Sequence, residues 1–103
     1  MTNAAHTPGP WDFDNYADHV SYFSPARKDD YVFRIDFPDD MPEAEAEANA
    51  RLIAAAPRLL KELERMLGLY VARLQDDGCT DEHISTMPQI IEPRAAIGEA
   101  QGG

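Results

Sequence analysis

The chain has 103 residues, 44% of them hydrophobic, and its 9 basic and 19 acidic residues give a formal charge of −10 at pH 7. This length suffices for one modest hydrophobic core, so a single domain over residues 1–103 is expected. Because so much acid is unfavourable on a surface that approaches phosphates or anionic lipid, no direct nucleic-acid partner and no membrane partner are expected.

The N-terminal segment, residues 1–10, is small and polar, and Pro8, Gly9 and Pro10 interrupt it. We expect it to be flexible up to Trp11. It lacks the basic and apolar regions of a secretion signal, and no run in the chain approaches the ~18 apolar residues of a membrane helix. The single cysteine, Cys79, excludes an intramolecular disulfide. A soluble protein of a reducing cytoplasm is therefore expected.

Residues 11–37 alternate between apolar and polar side chains, which is typical of β-strands. They predict three short antiparallel strands joined by loops at residues 15–18 and 24–30. The last strand alternates most clearly, and the side chains expected to face the core are Tyr31, Phe33, Ile35 and Phe37. Three such strands have one apolar face and need a helix to cover it.

Residues 41–75 contain the longest helical pattern, with apolar residues at alternating steps of three and four. A proline inside a continuous helix costs about 3 kcal/mol. We therefore expect the helix to break or kink sharply near Pro57, with a second helix running to Gln75. The apolar face consists of Ile53, Ala56, Leu60, Leu63, Leu67, Tyr70 and Leu74.

A short C-terminal helix is expected over residues 88–100, where Ile90, Ile91 and Ile97 supply the apolar side chains. The elements together predict an α+β fold, in which an N-terminal antiparallel sheet of about three strands packs against two or three C-terminal helices. The predicted core contains Trp11, Phe33, Ile35, Leu60, Leu63 and Leu67.

No combination of residues indicates a catalytic, cofactor-binding or metal site. Cys79 and His83 are four residues apart, but a structural zinc site needs two further ligands, and the sequence has no second pair of this kind. The serines lack a glycine-framed nucleophile turn, and there is no glycine-rich phosphate loop. We therefore expect no enzymatic activity, no cofactor and no metal.

Three segments carry a resemblance to known proteins: residues 6–11 (HTPGPW), residues 48–57 (ANARLIAAAP) and residues 94–100 (RAAIGEA) of the C-terminal helix. Together they resemble a widespread family of small proteins encoded by bacteriophages and prophages. The resemblance implies a phage accessory protein that works in the cytoplasm of the bacterial host. It carries over no catalytic residue, because no activity is established for that family, and it does not extend to residues 12–42.

Two functions of different classes follow. The first is the non-enzymatic binding of a host protein with a basic surface, as by an acidic inhibitor of a host nucleic-acid-binding defence or regulatory complex. The acidic residues expected to contact this partner are Asp39, Asp40, Glu43, Glu45 and Glu47.

The second hypothesis is a self-associating scaffold, such as a homodimer, assembled through the leucine face of the long helix. The residues of that face are Leu60, Leu63, Leu67, Tyr70 and Leu74. The same side chains could instead form the core of a single copy, so the sequence leaves both alternatives open.

Overall fold

The computed structural model describes residues 6–16, 18–27 and 30–102. Three strands, β1 (Asp12–Asn15), β2 (His19–Phe23) and β3 (Phe33–Asp36), precede three helices, α1 (Glu43–Asp76), α2 (Asp81–Ile84) and α3 (Pro88–Ala100). This order confirms the predicted α+β fold. Half of the segment predicted to be flexible, residues 1–5, lies outside the described residues, as do Ala17, Lys28 and Asp29 of the two predicted loops.

The chain divides into two compact units. The first unit is Thr7–Arg58, which contains the sheet and the N-terminal half of α1. The second contains His6 and residues 59–102, with the C-terminal half of α1, α2 and α3. The single domain expected from the length stays a prediction.

The sheet of the first unit is an antiparallel meander with β2 in the centre. Tyr22 of β2 lies opposite Phe13 of β1 and opposite Phe33 of β3. Because successive side chains of a strand point to opposite faces, Val20 and Tyr22 share the covered face, and both are fully buried. The predicted three-stranded sheet is confirmed.

The core of the first unit forms where α1 covers this face. Val20, Tyr22 and Ala50 make the buried cluster, and the Tyr22 hydroxyl donates a hydrogen bond of 3.4 Å to the carbonyl oxygen of Ala50. Small side chains such as Ala50 let the helix backbone approach the sheet closely. The half-buried apolar side chains around the cluster are Phe13, Phe33, Ile35, Phe37, Ile53 and Ala54.

The turn before β1 packs directly on α1. A Cβ atom added to Gly9 would lie 2.7 Å from the Cβ of Pro57, so this approach requires a glycine. The following peptide bond, Gly9–Pro10, is cis. The Ser24 hydroxyl donates a hydrogen bond of 2.5 Å to the Pro8 carbonyl oxygen, which holds the turn against the end of β2. Two of the three segments that resemble the phage family therefore meet at Gly9 and Pro57.

Trp11 joins this turn to the sheet. Its indole N–H donates a hydrogen bond of 3.0 Å to the carbonyl oxygen of Thr7, and its ring meets the Phe33 ring edge-on with 5.3 Å between the centroids. The indole is half-buried rather than part of the fully buried core.

The predicted break near Pro57 is wrong, because α1 is one helix of 34 residues with Pro57 inside it. Proline has no N–H and so leaves the Ile53 carbonyl without its usual donor, which is a local loss of about 3 kcal/mol. Tertiary packing stabilises most protein helices, and Pro57 itself packs against Gly9. The other alternative, a kink within the continuous helix at Pro57, stays a prediction.

The second unit has its fully buried side chains on α2 and α3, where Ile84 and Ile90 are 2% and 0% exposed. A left-handed glycine, Gly78 with φ of 93°, follows α1. The Thr80 hydroxyl accepts a hydrogen bond of 3.2 Å from the His83 N–H and caps α2. The predicted burial of Leu63 is wrong, since this side chain is 37% exposed.

Candidate functional site

A cleft of about 410 Å³ opens between the β1–β2 turn and the start of α1. We call it the acidic cleft, because four carboxylates line it together with one amide and several apolar side chains. The polar residues are Asn15, Asp18, Asp39, Glu43 and Glu47, and the apolar residues are Tyr16, Phe37, Pro38, Met41 and Ala46.

Hydrogen bonds of the backbone fix the walls of the cleft. The Phe37 N–H donates to the Asp18 carbonyl oxygen at 3.0 Å, which ties the β3–α1 connection to the β1–β2 turn. Within that turn, the Tyr16 N–H donates to the His19 carbonyl oxygen at 2.9 Å. The Tyr16 ring is stacked on the His19 ring with 4.6 Å between the centroids. Backbone hydrogen bonds at the ends of the strands therefore hold both walls.

Helical spacing selects which glutamates reach the cleft. Glu43 and Glu47 are four residues apart, so they lie on one side of α1, whereas Glu45 lies on the opposite side. Of the five acids predicted to contact a partner, the cleft brings together Asp39, Glu43 and Glu47. Asp40 and Glu45 are exposed but do not line it.

Asp18, which also lines the cleft, was not predicted from the sequence, because it comes from a turn more than twenty residues earlier in the chain. The Nδ1 atom of His19 lies 2.7 Å from Oδ1 of Asp18 and donates a hydrogen bond in the tautomer protonated there. This hydrogen bond lowers the pKa of the Asp18 carboxyl below its ordinary value. Asp18 therefore stays ionised at a lower pH than an unperturbed aspartate.

The negative charge of the cleft is only partly compensated. Glu47 forms an ion pair with Arg51 one turn further along α1. Within the described residues, no cationic side chain lies at salt-bridge distance from Asp39 or Glu43. Two carboxylates thus remain available beside the apolar walls.

The chemistry of the cleft suits a cationic side chain. Lysine and arginine combine a charged head with an aliphatic stem, which matches carboxylates next to apolar walls. A guanidinium also stacks well on aromatic rings such as those of Tyr16 and Phe37. The described part of the chain contains no group of three or more His, Cys, Asp or Glu residues that could hold a metal ion.

One family model, described as Salmonella phage P22 protein Y8K6, matches residues 1–103. The chain belongs to this family. This match confirms the expectation of a phage-encoded family. Neither the curated proteins nor the solved structures contain a significant match. In this member of the Y8K6 family, none of the described helices is both long enough and apolar enough to span a membrane.

The leucine face of the second hypothesis is divided in the Y8K6-family protein. Leu60, Leu67 and Leu74 are half-buried, and Leu67 lines a groove with Ile97 of α3. The other two predicted residues, Leu63 and Tyr70, are 37% and 40% exposed. The predicted face is thus partly covered within one copy.

The uncovered face of α1 in the second unit is formed by a partly different set of residues, which shares Leu63 and Tyr70 with the predicted face. Its members recur at steps of four, three and four, which is the spacing of a coiled-coil seam. We call it the exposed stripe, and it consists of Leu59 (55% exposed), Leu63 (37%), Met66 (58%) and Tyr70 (40%). Leu59 and Met66 were not predicted from the sequence, because the same period fits two neighbouring faces of the helix.

Proposed function

We propose that the protein is a non-enzymatic phage accessory protein that acts in the cytoplasm of the bacterial host. It binds a host protein through the acidic cleft, and the bound surface of that partner is basic. The observation that carries the proposal is the pair Asp39 and Glu43, two carboxylates without a nearby cation in the described residues, set beside apolar walls. A lysine or arginine of the partner compensates this charge.

The distribution of charge supports the same proposal. Residues 1–50, which supply all the residues of the cleft, hold 11 acidic and 3 basic residues, whereas residues 51–103 hold 8 and 6. A field of one sign attracts a partner of opposite charge and raises the association rate. Proteins that bind nucleic acid expose basic surfaces, so occupation of such a surface would block a host defence or regulatory complex.

The test is affinity capture from a lysate of the host, at low and at high salt, with identification by mass spectrometry. The cleft variant carries Asp39→Asn and Glu43→Gln. A control variant with the same net charge carries Glu92→Gln and Glu99→Gln on α3, where both side chains are exposed.

We expect a basic partner that the wild type and the control capture at low salt and that the cleft variant loses. Capture that survives high salt, or that the two variants reduce equally, contradicts binding through the cleft, because the interaction would then depend on other contacts or on net charge alone.

A second candidate function is self-association, and the exposed stripe is the observation that favours it. Two antiparallel copies of α1 would bring two stripes together, as in an isologous dimer. Residues 51–103 carry a net charge of only −2, so two copies can meet there with little of the repulsion that the acidic half would cause. A second copy is therefore the occupant that fits this face.

A matched pair of leucines tests this candidate. Leu59 lies in the exposed stripe and Leu69 outside it, and they are 55% and 57% exposed. If a dimer forms, Leu59→Gln changes both copies at once, so a loss of about 1 kcal/mol per copy weakens it roughly 30-fold. Leu69→Gln is expected to leave it unchanged. A wild-type chain that sediments as a monomer at tens of micromolar refutes self-association.

A further inference from the structure

β3 is an edge strand whose outer side is open in the described residues. The Phe37 N–H bonds to the Asp18 carbonyl oxygen directly opposite, so the alternation of an antiparallel ladder directs the backbone groups of Ile35 toward β2 as well. By the same alternation, the N–H and C=O groups of Arg34 and Asp36 point toward the open side. They are free to pair with another extended chain.

An apolar groove of about 220 Å³ runs beside this strand and separates it from α1. We call it the edge groove. Ile35 and Phe37 line one side of it, and Leu52 and Ile53 line the other. Leu52 is 64% exposed, so its side chain is accessible to a chain bound at this edge.

The edge groove adjoins the acidic cleft. Both cavities are lined by Phe37, Pro38 and Met41, so these residues form a wall that the edge groove and the acidic cleft share. The Arg34 guanidinium lies 2.6 Å from Oδ1 of Asp36, which neutralises the only cation of β3. A basic chain that approaches this edge therefore meets little positive charge and passes from an apolar groove to an acidic cleft.

We propose that the free edge of β3 binds an extended basic segment of the partner, which adds to the sheet as a fourth strand. An apolar side chain of the segment enters the edge groove, and a nearby lysine or arginine enters the acidic cleft. Backbone hydrogen bonds hold the segment, and its alternate side chains give specificity. This inference rests on the proposed function, because it names the form in which the partner is bound.

The negative charge of the chain also disfavours binding of a second copy at the edge of β3. Pairing of two β3 edges would join two acidic N-terminal halves, since residues 1–50 hold 11 acidic and 3 basic residues, and like charges repel. A segment rich in lysine or arginine is instead attracted by the negative charge of this chain. The occupant is thus an extended cationic peptide.

The experiment uses a display library of random ten-residue peptides, selected on the immobilised full-length chain. We expect the enriched peptides to alternate apolar and basic residues. Amide exchange is then measured by NMR with one selected peptide. Binding is expected to slow exchange roughly tenfold at Arg34 and Asp36, whose N–H groups gain partners, and to leave Ile35 unchanged.

Two pairs of variants separate strand addition from simple charge attraction. Arg34→Pro removes an edge donor, whereas Arg34→Ala keeps the N–H and loses the same ion pair. Leu52→Lys blocks the edge groove and repels a basic segment, with Leu69→Lys as its control. We expect roughly tenfold weaker peptide binding for Arg34→Pro and Leu52→Lys only.

The outcomes distinguish this inference from the proposed function. Basic peptides that bind without slowing exchange at Arg34 and Asp36 overturn strand addition and leave the acidic cleft as the binding site. Peptides without basic residues overturn the proposed function together with the partner class named here. A selection that enriches no sequence overturns the inference.

Discussion

Replacement of Gly9 by alanine tests the packing of the N-terminal turn on α1. The added Cβ would lie 2.7 Å from Cβ and 3.3 Å from Cγ of Pro57, whereas relaxed carbon contacts lie at about 3.5–4.0 Å. The proline ring is fixed to the helix and cannot rotate away, so the turn has to shift by about 1 Å. That shift disturbs the hydrogen bond between Ser24 and Pro8.

The expected loss follows from two opposing effects. Overpacking of this kind costs about 1–3 kcal/mol, and the smaller freedom of alanine in the unfolded chain returns about 0.4–1 kcal/mol. Gly9 does not have a positive φ, so the backbone conformation itself accepts alanine. The free energy of unfolding of the first unit is therefore expected to fall by about 1–2 kcal/mol.

Urea unfolding followed by the fluorescence of Trp11 measures this loss, because Trp11 is the only tryptophan and packs beside the turn. The matched control is Gly68→Ala in α1, where an added Cβ meets nothing within 4 Å. Alanine favours a helix over glycine by about 1 kcal/mol, so this variant is expected to be more stable by circular dichroism. A Gly9→Ala protein as stable as the wild type would show that the turn is not closely packed against Pro57.

Two further predictions concern the buried cores. Burial raises the pKa of Tyr22, so above its ordinary value near 10 the unfolded chain ionises while the folded chain does not, and the free energy of unfolding falls as pH rises. Tyr22→Phe is expected to lessen that fall in alkaline urea titrations, and equal slopes would contradict the buried hydroxyl. Ile90, at 0% exposure, is expected to lose about 2–5 kcal/mol on replacement by alanine, and Ile91, at 48%, much less in the same melts. Similar losses at both positions would place Ile90 outside the core.

The strands could be predicted from the sequence because their side chains alternate, but alternation alone does not say which face is covered. In β2, the side chains on the face of His19 alternate regularly with those on the face of Val20. Only the pairing of β2 with the flanking strands decides which of these two faces the helix covers. Ala50 gave no signal, since an alanine among glutamates and other alanines looks like a solvated helix. Its burial follows from the approach of α1 to Tyr22.

The helix and the site show the limits of local rules. The penalty at Pro57 is real but local, and packing along α1 exceeds it, so the predicted break does not occur. The steps of three and four along α1 fit Leu60 and Leu67 as well as Leu59 and Met66, and only the position of α3 distinguishes them. Glu43 and Glu47 of the cleft could be predicted from the sequence. Asp18 could not, because only the folding of the β1–β2 hairpin brings it to the start of α1.

The most direct test of the central claim is the salt dependence of the affinity for the captured host protein. Titrations at several salt concentrations compare the wild type, the cleft variant (Asp39→Asn, Glu43→Gln) and the control variant on α3. Binding through the cleft predicts that the cleft variant binds at least about tenfold more weakly at low salt and with a smaller salt slope, while the control follows the wild type. Equal affinities and equal slopes for all three proteins would contradict it.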